Sequence, residues 1–516
     1  MGRSIRGLGA AQASFGLWIV CELGLGGYAK SALAADSFHV TPALTVGETF
    51  TDNAGLSTGT GAAVSSSSAG PARADVITTI SPSLDLLSQG AHVQLGLIYD
   101  PQELIFARGT STDTLQQRLQ GNGHAELWPE TLFFDARSSI DQEYVSGAGP
   151  IANTTLTTNN NLQTVQAYSA SPSLRHHFGS FADSETRYTF SRISTGGGTV
   201  APSQIQEATQ TVTSGDRFGR FGWAWVADGT ENERQGGTSD PLSGTTTKDY
   251  WSEFNLSYRI YRGLKILGGA GYERFTDPTL TNQGSGIIYD GGFQIDPSPR
   301  TSATLTYQRR FGIDGFNFNG HYDIGPKLRA LASYSQTVQT GQSQIANNLN
   351  NQGLSQNGVI VNTQSGLPFT AGNGFGGIAG SPLGISSQAF VDKVFSSTLQ
   401  MTSGRNTYIG TAFYERQIFE MPSGANTSYG GTVGWTRQLW PLLSSNLFTS
   451  VGQTDGSGNG STAGNGTFYT ISANLSYTLS PSVTAQFTAT RSSSATSSSS
   501  DRTDVDTVGI SVSKKF

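Results

Sequence analysis

From Phe38 onward, apolar and polar side chains alternate in segments of about ten residues, each closed by a turn signal. Val40, Leu44 and Val46 are separated by Thr41 and Thr45, and Val93, Leu95, Leu97 and Tyr99 by Gln94, Gly96 and Ile98. The same alternation runs through Leu132, Phe134, Ala136 and Ile140, and through Tyr250, Phe254, Leu256, Tyr258 and Ile260. Later copies are Tyr429, Val433, Trp435 and Leu439, then Tyr469, Ile471, Leu475, Tyr477 and Leu479. Successive side chains of a strand point to opposite faces, so each segment predicts a β-strand with one apolar and one polar face.

The connections alternate as well. Short turn signals stand at 88–90, 128–130, 178–180, 218–219, 261–263, 297–299, 325–327, 403–404, 440–441 and 480–481. Between them lie stretches rich in Gly, Ser, Asn and Thr at 52–74, 145–161, 195–203, 228–247, 340–390, 453–466 and 491–503, with one short exception at 312–315. Counted this way there are about 22 strands, with short turns on one rim and long loops on the other. Pro42, Pro82 and Pro172 are expected at the short-turn ends of strands, because proline cannot donate to a ladder.

A strand in lipid cannot leave its edges unpaired, so a two-faced strand array of this kind must close. The expected fold is all-β: a transmembrane antiparallel β-barrel with short periplasmic turns and long extracellular loops, in a Gram-negative outer membrane. Trp128, Phe178, Tyr261 and Trp440 flank short turns, where an interfacial aromatic girdle belongs. The last segment places Val508, Ile510 and Val512 on one face and ends in Phe516. It resembles the C-terminal signature strand that the outer-membrane assembly machinery recognises, except that Lys514 stands where an apolar residue is usual.

Composition fits two averaged faces of one wall. Only 13% of residues are charged and 36% hydrophobic, mean hydropathy is -0.26, and 65 of the 516 residues are glycine. No run of about 18 apolar residues is present, which excludes a helical membrane protein. The 10% aromatic content argues against a disordered chain. The formal charge of -6, without a basic cluster, makes nucleic acid a poor partner. Arg3 and Arg6, the apolar run Phe15–Val20 and Ala32-Leu33-Ala34 read as a secretory leader over 1–34, followed by the barrel over 35–516. The single cysteine, Cys21, falls inside that leader, and no small residue precedes it as a lipid anchor would require.

The stretch Thr41-Pro42-Ala43-Leu44-Thr45-Val46-Gly47-Glu48-Thr49-Phe50-Thr51-Asp52-Asn53, with Ser-Pro-Ser-Leu at 81–84 and 171–174, resembles a family of outer-membrane barrels. Members are found with exopolysaccharide biosynthesis and export systems, including PEP-CTERM-associated ones. The resemblance implies passage of polysaccharide or other polar solutes and carries no catalytic residues.

No catalytic or metal constellation stands out. His39, His92, His124, His176, His177 and His321 are scattered, and neighbouring His176 and His177 would point to opposite faces of a strand. Asp52-Asn53 could bind calcium at a loop start, though a simple turn is the plainer reading. No enzyme activity and no cofactor are expected. Asp135, Arg137, Asp141, Glu143, Glu185, Arg187, Glu253, Arg259 and Lys265 fall on the polar faces and are candidate lumen-lining residues. From Ala330 to Val391 no charged residue occurs. The loop there carries Asn350, Gln352, Phe369 and Phe375, candidate contacts for a neutral sugar chain if it folds inward. No inward anchor is evident, so a surface loop is the first expectation.

A barrel of about 22 strands cannot fill itself with side chains, so it holds water, a folded-in loop or a plug. The strand pattern begins soon after the leader, so no N-terminal plug domain is expected. The functional expectation is a passive pore for polar solutes, with exopolysaccharide the implied cargo. The alternative is a structural or surface-binding barrel acting through its extracellular loops, and a soluble secreted β protein comes third. Expected partners are outer-membrane lipids, the barrel assembly machinery and, through the resemblance, polysaccharide export components.

Overall fold

The computed structural model describes residues 38–55, 73–144, 156, 161–198, 200–236, 238–280, 284–355, 357–363, 381–458, 464–496 and 502–516. The predicted leader, Phe369 and Phe375 lie outside the described residues. The alternating segments form one closed antiparallel wall of 22 strands. Sequence neighbours pair throughout, and Phe38–Thr51 closes on Arg502–Lys515 from Ala43↔Lys515 to Thr51↔Thr507. Two strands are interrupted: Val93–Tyr99 continues as Gln102–Phe106, and Thr114–Gln116 as Leu119–Trp128.

Every predicted short turn joins two strands on the same rim. On the other rim the connection expected over 228–247 is shorter, because Phe221–Arg234 and Thr246–Tyr261 extend into it. Further connections at 107–113, 277–285 and 420–423 were not separated by the turn signals.

The apolar faces point outward, away from the lumen. Val433 is 62% exposed, Ile510 59% and Tyr258 50%, a degree of apolar exposure that suits hydrocarbon and not water. The girdle at the short-turn rim uses a local device. Register shifts fall between Glu126 and Trp128, between Arg259 and Tyr261, and between Gln438 and Trp440. Without the shift, strict alternation would aim each of these three aromatics into the lumen. The extra residue of each bulge turns them to the membrane side, opposite Leu132, Leu264 and Leu443.

The proline expectation needs correction. Pro42, Pro82 and Pro172 lie within strands, not at their ends. Each of the latter two meets a gap in one ladder. Pairing of Leu162–His177 with Ala182–Thr195 skips from Ala170↔Phe190 to Ser173↔Arg187, spanning Pro172. Pro82 stands beside the break at Asp100-Pro101, where the Ser81 hydroxyl donates to the Pro101 carbonyl at 3.0 Å. Proline is tolerated inside a strand where the neighbouring backbone asks for no N–H. In the last strand, Val508, Ile510 and Val512 face outward opposite Phe50, Glu48 and Val46. The Lys514 ammonium lies 5.0 Å from the Phe516 ring centre, so the departure from the usual apolar residue is covered by a cation–π contact.

Candidate functional site

Between Leu328–Gln339 and Phe390–Ser403, residues 340–355 and 357–363 lie in the lumen. These two strands are paired up to Gln339↔Phe390, so the residues between them leave from the tip of an intact hairpin. Thr340 caps a helix, Gly341–Asn350, by accepting from the Ser343 N–H. Ile345, Ala346 and Leu349 are spaced along one helix face. They pack against Val165, Ala167, Ile193 and Ile205, apolar residues at inward-facing positions of the opposite wall. The chain then descends as a hairpin, Gln352–Leu354 paired with Ile360–Asn362. Asn122 Nδ2 and Arg137 Nε donate to the Gln352 carbonyl at 2.9 and 3.1 Å. Leu354 lies over Gly96, and Gly358, with a φ of +78°, lies against Leu87.

The surface-loop expectation is therefore wrong. Its physical reason lay in the wall: Val165, Ala167, Ile193 and Ile205 sit where a wet lumen would want polar groups, so an occupant must cover them. An insert without charges also desolvates no ion when it enters. Gly96 leaves room that no larger residue would, since a Cβ there would stand 2.5 Å from a Leu354 methyl. Gly96→Val is expected to dislodge the hairpin, seen as faster protease cleavage within 352–363 while the barrel stays folded.

On its other side the helix faces an acidic wall across a cavity of about 290 Å3 lined by Ser343, Asn347 and Asn350. Alternation aims Glu207, Asp228, Asp249, Glu253, Glu273 and Asp290 inward from consecutive strands. Arg310 reaches into this group, 2.7 Å from Glu273 and 3.7 Å from Asp249, with its guanidinium 4.4 Å from the Trp251 ring centre. The Thr209 hydroxyl donates to Asp228 at 2.8 Å and sits 3.4 Å from Glu207. Carboxyl groups outnumber cations in this chamber, which makes it acid-lined. Toward the short turns the lumen is wet: inward-facing Gln94, Asn319, Asn446 and Gln486 are exposed. Toward the long-loop rim inward groups such as Asn426, Ser428, Ser450 and Ser492 are buried.

All nine candidate lumen residues lie on the inward face. Asp135, Arg137, Glu185 and Arg187 come together: Arg187 bridges Asp135 at 2.7 Å and Glu185 at 2.9 Å. Asp141 is buried, 3.9 Å from Arg118, and Glu143 is buried on the same strand. Glu253 belongs to the acidic chamber, whereas Arg259 and Lys265 face each other nearer the short turns. Of the loop candidates, Asn350 accepts from the Ser169 hydroxyl at 2.8 Å, and Gln352 anchors through its carbonyl. Sequence reasoning missed Glu207, Asp228, Asp249, Glu273, Asp290 and Arg310, although strand alternation alone assigns them inward.

The histidines stay dispersed. His92 pairs with Glu126 at 2.9 Å, and His124 joins the Asp135–Arg187 cluster, 2.8 Å from Asp135. Among the described residues no group of three or more His, Cys, Asp or Glu is placed to hold a metal. Asp52 Oδ1 accepts the Asp506 N–H at 2.8 Å and Asn53 Nδ2 donates to the Asp504 carbonyl at 3.1 Å, which ties the first loop to the last strand as a turn.

No protein-family model matches the chain. No curated protein matches it either. Among solved structures it is similar to the ferric enterobactin receptor PfeA from Pseudomonas aeruginosa, with 10% identity and a TM-score of 0.48 over 93% of this chain and 80% of that one. The siderophore receptor PirA from Acinetobacter baumannii gives 8% identity and a TM-score of 0.47 over 93% and 80%. The FrpB iron transporter from Neisseria meningitidis gives 10% and 0.46 over 95% and 84%. The closed wall and apolar outer belt of the present chain are those of an outer-membrane β-barrel.

Proposed function

We propose that this protein is an outer-membrane channel for polar solutes, throttled by the insert between Gln339 and Phe390 and preferring cations. What carries the reading is the placement of an uncharged helix across the lumen from an acid-lined wall, so that traffic meets the acidic chamber. A ring of carboxylates at a constriction raises the local cation concentration and lowers that of anions. Neutral amides of the helix supply hydrogen bonds without competing charge. Exopolysaccharide as cargo rests on the opening motif alone, and the chamber chemistry favours small cationic or neutral polar solutes over an anionic polymer.

Planar-bilayer recording of the purified protein tests this. Under a salt gradient the reversal potential should report cation preference. Asp228→Asn combined with Glu253→Gln and Asp290→Asn should lower the cation-to-anion permeability ratio by about twofold or more. A wild-type barrel that conducts with no charge preference, or a triple variant that leaves it unchanged, would overturn the cationic part of the reading.

A further inference from the structure

Four outward-facing cations near the long-loop rim have an acid beside them. Lys248 lies 3.0 Å from Glu231, Arg309 3.2 Å from Asp314, Arg491 3.3 Å from Asp506 and Arg502 2.9 Å from Asp504. Lys393 and Arg416 do not. They stand directly opposite each other in the ladder between Phe390–Ser403 and Asn406–Phe419. On the outer flanks the register brings only neutral neighbours, Gln336 to Lys393 and Thr427 to Arg416. No carboxylate lies within ion-pair distance of either among the described residues. Like charges directly opposite in a sheet repel, so nothing within the wall accounts for this pairing.

Alternation puts both on the face that carries the aromatic pair Phe395 and Tyr414 one rung below, with Arg416 exposed and Lys393 half-buried. One rung above, Val391 and Ile418 pack with Phe275 and Phe311. Lys393 stands eight residues from outward-facing Met401, and Arg416 eight from outward-facing Tyr408. At about 3.4 Å per residue and a tilt of about 40°, that is a height of about 21 Å, close to the roughly 25 Å of a barrel's apolar band. The two cations are thus at the level where hydrocarbon gives way to headgroups on the long-loop side. Phe395 and Tyr414 below them suit acyl chains.

We propose that Lys393 and Arg416 form a binding site for the phosphate of an outer-leaflet lipid headgroup. One phosphate between them would receive charge-assisted hydrogen bonds from the ammonium and the guanidinium and would remove their mutual repulsion. The acyl chains would run down over Phe395 and Leu399. The proposal needs the membrane setting of the barrel but not its conductance, so the two readings fail separately.

The test is binding of bisphosphorylated lipid A to the full chain in detergent micelles, followed by native mass spectrometry. Wild type should hold lipid A more tightly than Lys393→Ala/Arg416→Ala by about thirtyfold, taking roughly 1 kcal/mol per cation at a charged surface. The affinity should fall with added salt. Dephosphorylated lipid A should bind wild type as weakly as lipid A binds the double variant. Inorganic phosphate alone should compete only at far higher concentration. Arg491→Ala/Arg502→Ala, which removes equal charge from residues already paired, should bind like wild type. Lys393→Arg/Arg416→Lys keeps both charges and should retain binding, and heat-modifiable gel migration checks that each variant is folded. Equal affinity in wild type and the folded alanine double variant, or equal affinity for the dephosphorylated lipid, would overturn the assignment.

Discussion

Replacing residues 340–389 with Asn-Gly is expected to raise single-channel conductance by about fivefold or more, because a barrel of this size is wide once emptied. The join is feasible because Gln339 and Phe390 already face each other in the ladder, the spacing that a two-residue hairpin turn closes. The wall itself loses no strand pairing. What the deletion uncovers is the apolar patch Val165, Ile193 and Ile205, which then faces water. A companion variant with threonine at those three positions separates the effect of an open lumen from that of a sticky one. Planar-bilayer recording gives conductance and heat-modifiable migration gives folding. A folded deletion variant with unchanged or absent conductance would sink the channel reading.

The second large effect concerns the long-loop rim. Asp277→Ala is expected to cost about 3–5 kcal/mol of local stability, because it strands a buried cation. Arg234 and Asp277 are both fully buried and lie 2.9 Å apart. Arg234 also donates to the Thr245 and Thr247 hydroxyls at 2.8 and 3.0 Å, holding the 235–245 connection to the strand that follows. Hydrogen exchange of the 238–245 amides should quicken in the variant while the wall strands stay protected. Removing both partners with Arg234→Met/Asp277→Leu should cost less than Asp277→Ala alone, since no unpaired charge remains. No difference between these two variants would show that the pair does not act as a unit.

Acid should act on the same contact. Burial by itself pushes the Asp277 carboxyl up, but Arg234 and the hydroxyls of Thr247 and Thr279 outweigh it and hold the carboxyl below its ordinary 3.8. A lowered native value means that the stabilisation is complete above the unfolded value and is lost only as pH falls through the native one. The 238–245 amides should therefore stay protected from neutral pH down to about 4 and lose protection only below it.

Much of this molecule is legible because a strand's side-chain direction is local. Adjacent Cβ atoms alternate whatever the rest of the chain does, so Tyr250, Phe254 and Leu256 could be assigned to lipid and Asp135 and Arg137 to the lumen without coordinates. The same rule would have placed Asp228, Asp249 and Glu273 inward. The rule breaks where a bulge adds a residue: Trp128, Tyr261 and Trp440 would be counted as lumenal by alternation and are turned outward by the register shift. It is also silent on prolines inside strands, since Pro82 is tolerated only because the neighbouring strand breaks at Asp100-Pro101.

The destination of the insert was not a local matter. Ile345 and Leu349 give a helix face, but its partners, Val165, Ile193 and Ile205, lie far away in the sequence on the opposite wall. Each of those looks like an unremarkable strand residue on its own. By itself, then, the sequence determined the wall: a closed two-faced barrel, its rims and its membrane level, all consequences of period-two alternation and the need to leave no strand edge in lipid. The tertiary structure decided what occupies the lumen, because that depends on long-range packing of apolar residues that only closure of the barrel brings face to face.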